Sequence, residues 1–551
     1  MKNNKAKVVN IKKGNNTILT KVMLIGMVIL IIILAITYYV QIPEISIYSS
    51  KTWIYGLLII FIIAAILSGF NVKEKKLEIK TTLPGKIMFI ILGVGIVVFL
   101  IGSLLSSSVF SASKYAEILP ISDGEFEKDV VKKDTVDDIA LMDTSSAEIV
   151  GQRVVGSLSD IVSQFEVSTE YSQIDLNGKP MKVAPLEYAD FFKYLNNKSN
   201  GVPGYVMVDP ITNEAEYVKL DKGMKYSTSS YFNSNLQRHL RFQYPTAIFE
   251  GYYFEVDEDG KPYYVCPILK ANVGLFGAMD IKGIVICDPV NGESNYYSIG
   301  NVPDWVDRTY SGDLLCQKYN WYGTLSGGYI NSLYGNKGCK VVTSDFSYKI
   351  MEEDMWIYTG VTSVNGDQSN IGFVLMNTRT SETRYYKISG AEEYSAMESA
   401  EGAVQHLEYV ASFPSIVNIN NQPTYVMVLK DNGGLVKMYA YVNMEKYNIV
   451  ATGTTLKEAL SAYKKMLFDN GIGDSEENIE ESYDNKTITI DSIQYIPQGT
   501  ETYAYIISTD DEAFKQNIEE NETIVLLKSG DHIKVYYEKQ ENGINELVKY
   551  K

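Results

Sequence analysis

Histidine and cysteine are scarce here: three histidines (His239, His406, His532) and four cysteines (Cys266, Cys287, Cys316, Cys339) in 551 residues. The cysteine spacings of 21, 29 and 23 residues fit no zinc pattern. After residue 110 there is no HExxH, Gx4GK[ST], GxGxxG or GxSxG run. Zinc-protease, P-loop, dinucleotide and nucleophile-elbow chemistry therefore has no local support. Arginine is absent from the first 110 residues, whose 12 Lys and 3 Glu give a net charge of +9. The rest holds 38 basic and 64 acidic residues, a net charge of −26. An acidic balance of this size argues against nucleic acid, whose phosphates need clustered Lys and Arg. So sharp a split divides the chain between two compartments.

Three runs lack charge altogether: Val22–Val40, Trp53–Phe70 and Ile87–Leu105. Each matches the roughly 20 helical residues that cross a bilayer, and none carries the polar stripe of a core helix. Lysines set their direction. Lys2, Lys5, Lys7, Lys12, Lys13 and Lys21 precede the first run, and Lys73, Lys75, Lys76, Lys80 and Lys86 follow the second. The opposite side has only Lys51 and Lys114. The positive-inside rule places the amino terminus in the cytoplasm and residues 106–551 outside the cell membrane. Without an ionisable residue the runs read as an anchor, with Gly93, Gly95 and Gly102 as an assembly surface. Small residues at Ser111–Ser113 mimic a signal-peptidase site, read as uncleaved.

The exterior portion repeats itself. Gly204-YVMVDPITNEAEYVKL, Gly283-IVICDPVNGESNYYSI and Gly372-FVLMNTRTSETRYYKI align without a gap, and a looser copy starts at Tyr425. Each has a glycine, an apolar run, a turn, a glutamate (Glu214, Glu293, Glu382) and a tyrosine (Tyr217, Tyr296, Tyr385). This is a strand–turn–strand signature, and the glutamates read as solvated hairpin residues. Cys287 falls where other copies have Val208, Met376 and Val428, which favours free buried thiols over disulfides. Phe254–Ile268 is a further hairpin, whose Asp257, Asp259 and Gly260 lack the full calcium-loop spacing and read as a turn. Helical patterns cover 145–165, 186–195, 229–242, 395–409 and 456–467.

The expected fold is a membrane-anchored α+β chain. Its parts are a tail (1–21), a three-helix anchor (22–110), a helical stalk (111–200), antiparallel-sheet and helix repeat modules (201–468), an acidic linker (469–485) and a small all-β, OB-like domain (486–551). Arg238, His239 and Arg241, with aromatic residues nearby, form the one dense basic–aromatic cluster outside and are the candidate partner-binding residues. Arginines on an amphipathic helix also commonly cover a core. The carboxylates Glu255, Asp257, Glu352, Glu353 and Asp354 would serve a hydrolase if two lay across a cleft.

Several runs resemble an uncharacterised family of Gram-positive bacterial membrane proteins with amino-terminal spans and a large extracytoplasmic domain. They are Val162-SQFEVSTEYSQI, Arg238-HLRFQYP, Val302-PDWVDRTYSGDL, Tyr358-TGVTSVNGDQSNIGF, Met397-ESAEGAVQ and Gln422-PTYVMVLKDNGGLVKMYA. The hairpin copies also resemble PepSY-type modules: Gly292-Glu293 matches their turn, while Asn213-Glu214 and Ser381-Glu382 lack its glycine. That resemblance implies peptidase inhibition or regulation and envelope sensing without catalysis. With the topology, the repetition and the lack of a catalytic signature, the expectation is a non-enzymatic envelope protein that binds or regulates another envelope protein or wall component, without cofactor or metal. An envelope hydrolase and a membrane sensor or scaffold are the alternatives.

Overall fold

The apolar runs form helices α1 (Gly14–Gln41), α2 (Ser50–Ser68) and α3 (Leu83–Leu105) of a computed structural model. It describes residues 14–68, 70–73, 76–79, 82–130, 139–364, 369–472, 483–498, 501–518, 521–540 and 543–551. Lys2, Lys5, Lys7, Lys12, Lys13, Lys75 and Lys80, and most of the 469–485 stretch, lie outside the described residues. Spans of 19, 19 and 23 residues in these helices are long and apolar enough to cross a membrane. Small residues bring α2 and α3 together: a Cβ on Gly85 would sit 2.4 Å from Ser68 Oγ, and one on Gly95 2.8 Å from Leu57. Such close approach is how apolar helices associate in lipid. Thr82 caps α3, accepting from the Gly85 N–H at 3.2 Å and donating to the Leu67 carbonyl at 2.5 Å.

The chain divides into two compact units, one of residues 1–131, 136–417 and 423–463, the other of 132–135, 418–422 and 464–551. One sheet pattern occurs four times. A first strand, broken in two, flanks opposite halves of a long second strand; a third and fourth complete an antiparallel meander. Module one uses Phe165–Val167 with Ser172–Leu176, then Lys179–Tyr188, Val202–Asp209 and Glu214–Met224. Module two uses Ile248–Phe249 with Tyr253–Val256, then Pro262–Val273, Gly277–Cys287 and Ser294–Ser298. Module three uses Lys340–Val342 with Ser347–Met351, then Asp354–Ser363, Gly372–Asn377 and Thr383–Tyr386. Module four uses Val410–Ala411 with Ser415–Ile419, then Gln422–Lys430, Val436–Asn443 and Val450–Gly453. The first module thus begins at Phe165, inside the segment read as a stalk. A strand at Ile121–Asp123 joins the third sheet in parallel with Thr383–Tyr385.

The repeated residues have a common mechanics. An Asx at the end of each third strand turns the chain: Asp209, Asp288, Asn377 and Asn443 accept from the N–H of Ile211, Val290, Arg379 and Lys446. The residue before each repeated glutamate is left-handed, Asn213 at φ +61°, Gly292 at +79° and Ser381 at +62°. The leading glycines accept a cross-strand ring: a Cβ on Gly204, Gly283 or Gly372 would fall 2.7, 2.8 or 2.8 Å from the Cε2 of Tyr217, Tyr296 or Tyr385. In the fourth module the register puts Met438 in the glycine's place and Thr452 in the tyrosine's. The copy aligned from Tyr425 is therefore out of phase: it covers the second and third strands, whereas the other three cover the third and fourth.

A helix precedes each sheet: Thr144–Gly156, Leu236–Gln243, Gly312–Leu325 and Glu393–Ala403. The third of these carries no counterpart among the expected helices. Leu186–Tyr188 is strand rather than helix, because Asp190 caps the next helix by accepting from Phe192 and Lys193 N–H at 2.7 and 2.9 Å. The fourth module returns to the first through Lys430 on Asp143, Ser146 Oγ to the Gly434 carbonyl (3.3 Å) and Asn213 to Tyr439 (3.4 Å). The other unit holds a closed five-stranded barrel of Asp484–Gln498, Glu501–Ser508, Ala513–Asn517, His532–Glu538 and Ile544–Tyr550.

Candidate functional site

The basic cluster grips the end of the first span. Arg238 Nε donates to the Tyr39 carbonyl at 2.9 Å, its guanidinium lying 4.5 Å from the Tyr39 ring centroid. Arg241, 5% exposed, donates to the carbonyls of Ile42 (3.1 Å) and Ala247. The last carbonyls of a helix lack intrahelical donors and carry negative partial charge, so arginines are favoured there. His239 faces elsewhere, 2.7 Å from the Gly292 carbonyl and against the Tyr226 ring. The second module also holds α3: Ser106 Oγ accepts from the N–H of Leu275 and Phe276 at 2.8 and 2.9 Å. Two of the three glycines read as an assembly surface are thus occupied internally, Gly95 by Leu57 and Gly102 by Leu275.

The candidate carboxylates are dispersed. Asp257 Oδ1 accepts from the N–H of Asp259 and Lys261 at 3.1 and 2.9 Å, the plain turn expected of that hairpin. Glu352 takes a bidentate grip from Arg384 (2.8 and 2.9 Å), and Asp354 accepts a single bond from Arg379 Nε (2.6 Å) and another from Asn377 Nδ2 (2.8 Å). Glu352 and Glu353 are the tip of a two-residue hairpin with φ of +56° and +62°, a turn that ordinarily takes Asn-Gly. Glu255 is different: it is fully buried where modules one, two and three meet. Its oxygens accept from the backbone N–H of Asp307 and Arg308 at 3.1 and 3.2 Å. Asp307, also buried, accepts from the Asp175 N–H at 2.7 Å. Burial pushes the Glu255 carboxyl up to about 7 against those donors, and burial with Glu255 as neighbour raises Asp307 as well. Nearby Lys182, 4% exposed, is pushed down to about 8 by burial, against the pull of Asp143.

Arg308 faces a cavity of about 420 Å³ between the first two modules, lined by Glu170, Glu187, Gln237, Tyr252 and Tyr253 among others. Its guanidinium stacks 4.2 Å from the Tyr253 ring centroid and donates from Nη2 to Tyr348 OH at 2.9 Å, while its buried Nε has no partner among the described residues. A second seam, between modules three and four, buries Glu393, which accepts from Tyr358 OH (2.9 Å) and Asn370 Nδ2 (3.2 Å). Sequence reasoning named Glu255 but missed Asp307, Arg308 and Glu393. The one local signal was the Asp-Arg pair inside Val302-PDWVDRTY. All four cysteines are free thiols, and burial pushes Cys287 and Cys316 up to about 12. Among the described residues no group of three or more His, Cys, Asp or Glu converges as a metal site. Compared with protein-family models and with curated proteins, the chain matches none.

Proposed function

We propose that this chain is a non-enzymatic cell-envelope protein that binds another envelope protein or a wall component at the seam of its first two modules. The amino terminus is cytoplasmic and residues 106–551 are extracytoplasmic. The observation that carries the reading is the cavity under Arg308, which brings tyrosine rings, two carboxylates and a guanidinium-bearing residue to one cleft. Such walls suit a polar ligand with both hydroxyl or ammonium and carboxylate groups, as in a peptide or peptide-bearing glycan. Lysine placement supports the orientation. So does the Ile45 N–H donating to the Pro245 carbonyl at 2.8 Å, which keeps the α1–α2 loop beside the modules. The left-handed residue before each repeated glutamate supports the PepSY-like reading. The barrel's strand order, first-second-third-fifth-fourth, with its third and fifth strands parallel, supports the OB-like one. The test is capture from an envelope fraction by the detergent-purified full chain and by Glu187→Arg, which fills the cleft. Retention reduced about tenfold in the variant is expected. Equal retention, or none by the wild type, refutes the proposal.

A further inference from the structure

A second cavity, of about 630 Å³, opens where α1 ends, between Tyr39–Ile42 and residues 228–238. Thr228, Ser229 and Ser230 line one side, the hydroxyls of Thr228 and Ser230 being donated to Glu187 and the Lys225 carbonyl, and Val40 of the span forms part of the other side. Arg238 reaches it with Nε on the Tyr39 carbonyl and Nη1 on the Phe232 carbonyl; among the described residues its Nη2 has no partner. Tyr231 and Phe232 line the cavity and meet Phe191 edge-on at centroid distances of 5.0 and 6.1 Å. Phe192, next to them, is 71% exposed. Phe232 itself is held at φ +52°, a conformation that bulky residues rarely adopt, with its ring 53% exposed. Exposed aromatic rings beside the end of a span sit at the headgroup level of a bilayer.

We propose that this cavity holds the headgroup of a membrane phospholipid, its phosphate on Arg238 and its acyl chains along Val40. The inference stands on α1 lying in a bilayer and needs no ligand in the seam cleft, with which this cavity shares Thr228 and Gln237 as lining. Arginine forms the charge-assisted bonds a phosphodiester needs, and the aromatic cluster fits the interfacial layer beside it.

The full chain, reconstituted in nanodiscs of mixed phosphatidylglycerol and phosphatidylcholine, is released into native mass spectrometry to count retained lipid. One tightly held phospholipid per wild-type chain is expected. Arg238→Gln lowers that occupancy about tenfold, the worth of one charged hydrogen-bond set. Because Arg238 also braces α1, Val40→Trp provides a second test: Val40 is exposed on the span, and an indole there fills the cavity without entering a module core. It produces the same loss. Wild-type chain without retained lipid, undiminished lipid in both variants, or displacement by inorganic phosphate alone overturns the proposal.

Discussion

The two seams that bury carboxylates neutralise them by opposite means. Between modules two and three, Glu255 rests on main-chain N–H groups beside the Arg308 guanidinium, with Asp307 and Asp175 close by. Between modules three and four, Glu393 is met by neutral donors, Tyr358 and Asn370, and fits because Gly360 carries no side chain. The charged seam borders the cavity under Arg308. Buried charge is therefore concentrated where a ligand is proposed to bind, at a cost in stability that the neutral seam avoids.

Glu255→Ala breaks this contrast most strongly. It strands two backbone N–H groups and removes the carboxylate beside the Arg308 guanidinium, and chemical denaturation in detergent is expected to show a loss of about 3–5 kcal/mol. Glu393→Ala, which strands only neutral donors, is expected to cost less, about 1–3 kcal/mol. An equal loss at both would end the distinction. Acidity provides the second measurement. A carboxyl raised in the fold binds its proton more tightly than in the unfolded chain. Its stability is full below the ordinary value of 4.5 and falls as pH rises toward about 7. Glu255→Gln, neutral throughout, is expected to flatten unfolding free energy across that window, where the wild type loses up to about 3 kcal/mol. Lys182 has the mirror-image sign. Depressed to about 8, it costs stability as pH falls from 10.5, so Lys182→Met is expected to stabilise the protein at neutral pH by about 1–3 kcal/mol. A midpoint unchanged or lowered by that substitution contradicts the burial argument.

What could be read in the sequence was whatever repeats or runs locally. Long uncharged stretches specify helices, and glycine with tyrosine at fixed offsets specifies a hairpin whose ring covers the glycine. Module four lost both, Met438 and Thr452 standing instead, so its third strand carried no signal and the apolar second strand was taken for it. The helix at Gly312–Leu325 went unread, and so did the charged seam. Arg308 and Asp307 acquire meaning only through Glu255 and Asp175, 52 and 132 residues away from Asp307. Arg238 and Arg241 were found by composition, but their carbonyl partners on α1 lie 199 residues distant.

Gly360 gives the finest test of the neutral seam. A Cβ there would lie 2.3 Å from Asn370 Nδ2 and 2.4 Å from Glu393 Oε1, so one must move. Neither yields freely, because Glu393 Oε1 is held by Tyr358 and Asn370 is fully buried. Gly360→Ala is therefore expected to cost about 1–2 kcal/mol, the usual penalty for one methyl too many in a packed site. The cause can be isolated by a double-mutant cycle. If the collision is with the carboxylate, Gly360→Ala becomes cheaper in a Glu393→Ala background, and the two losses fall short of additivity by about 1 kcal/mol. Strict additivity would put the collision on Asn370 instead, and the carboxylate would owe nothing to the room the glycine leaves.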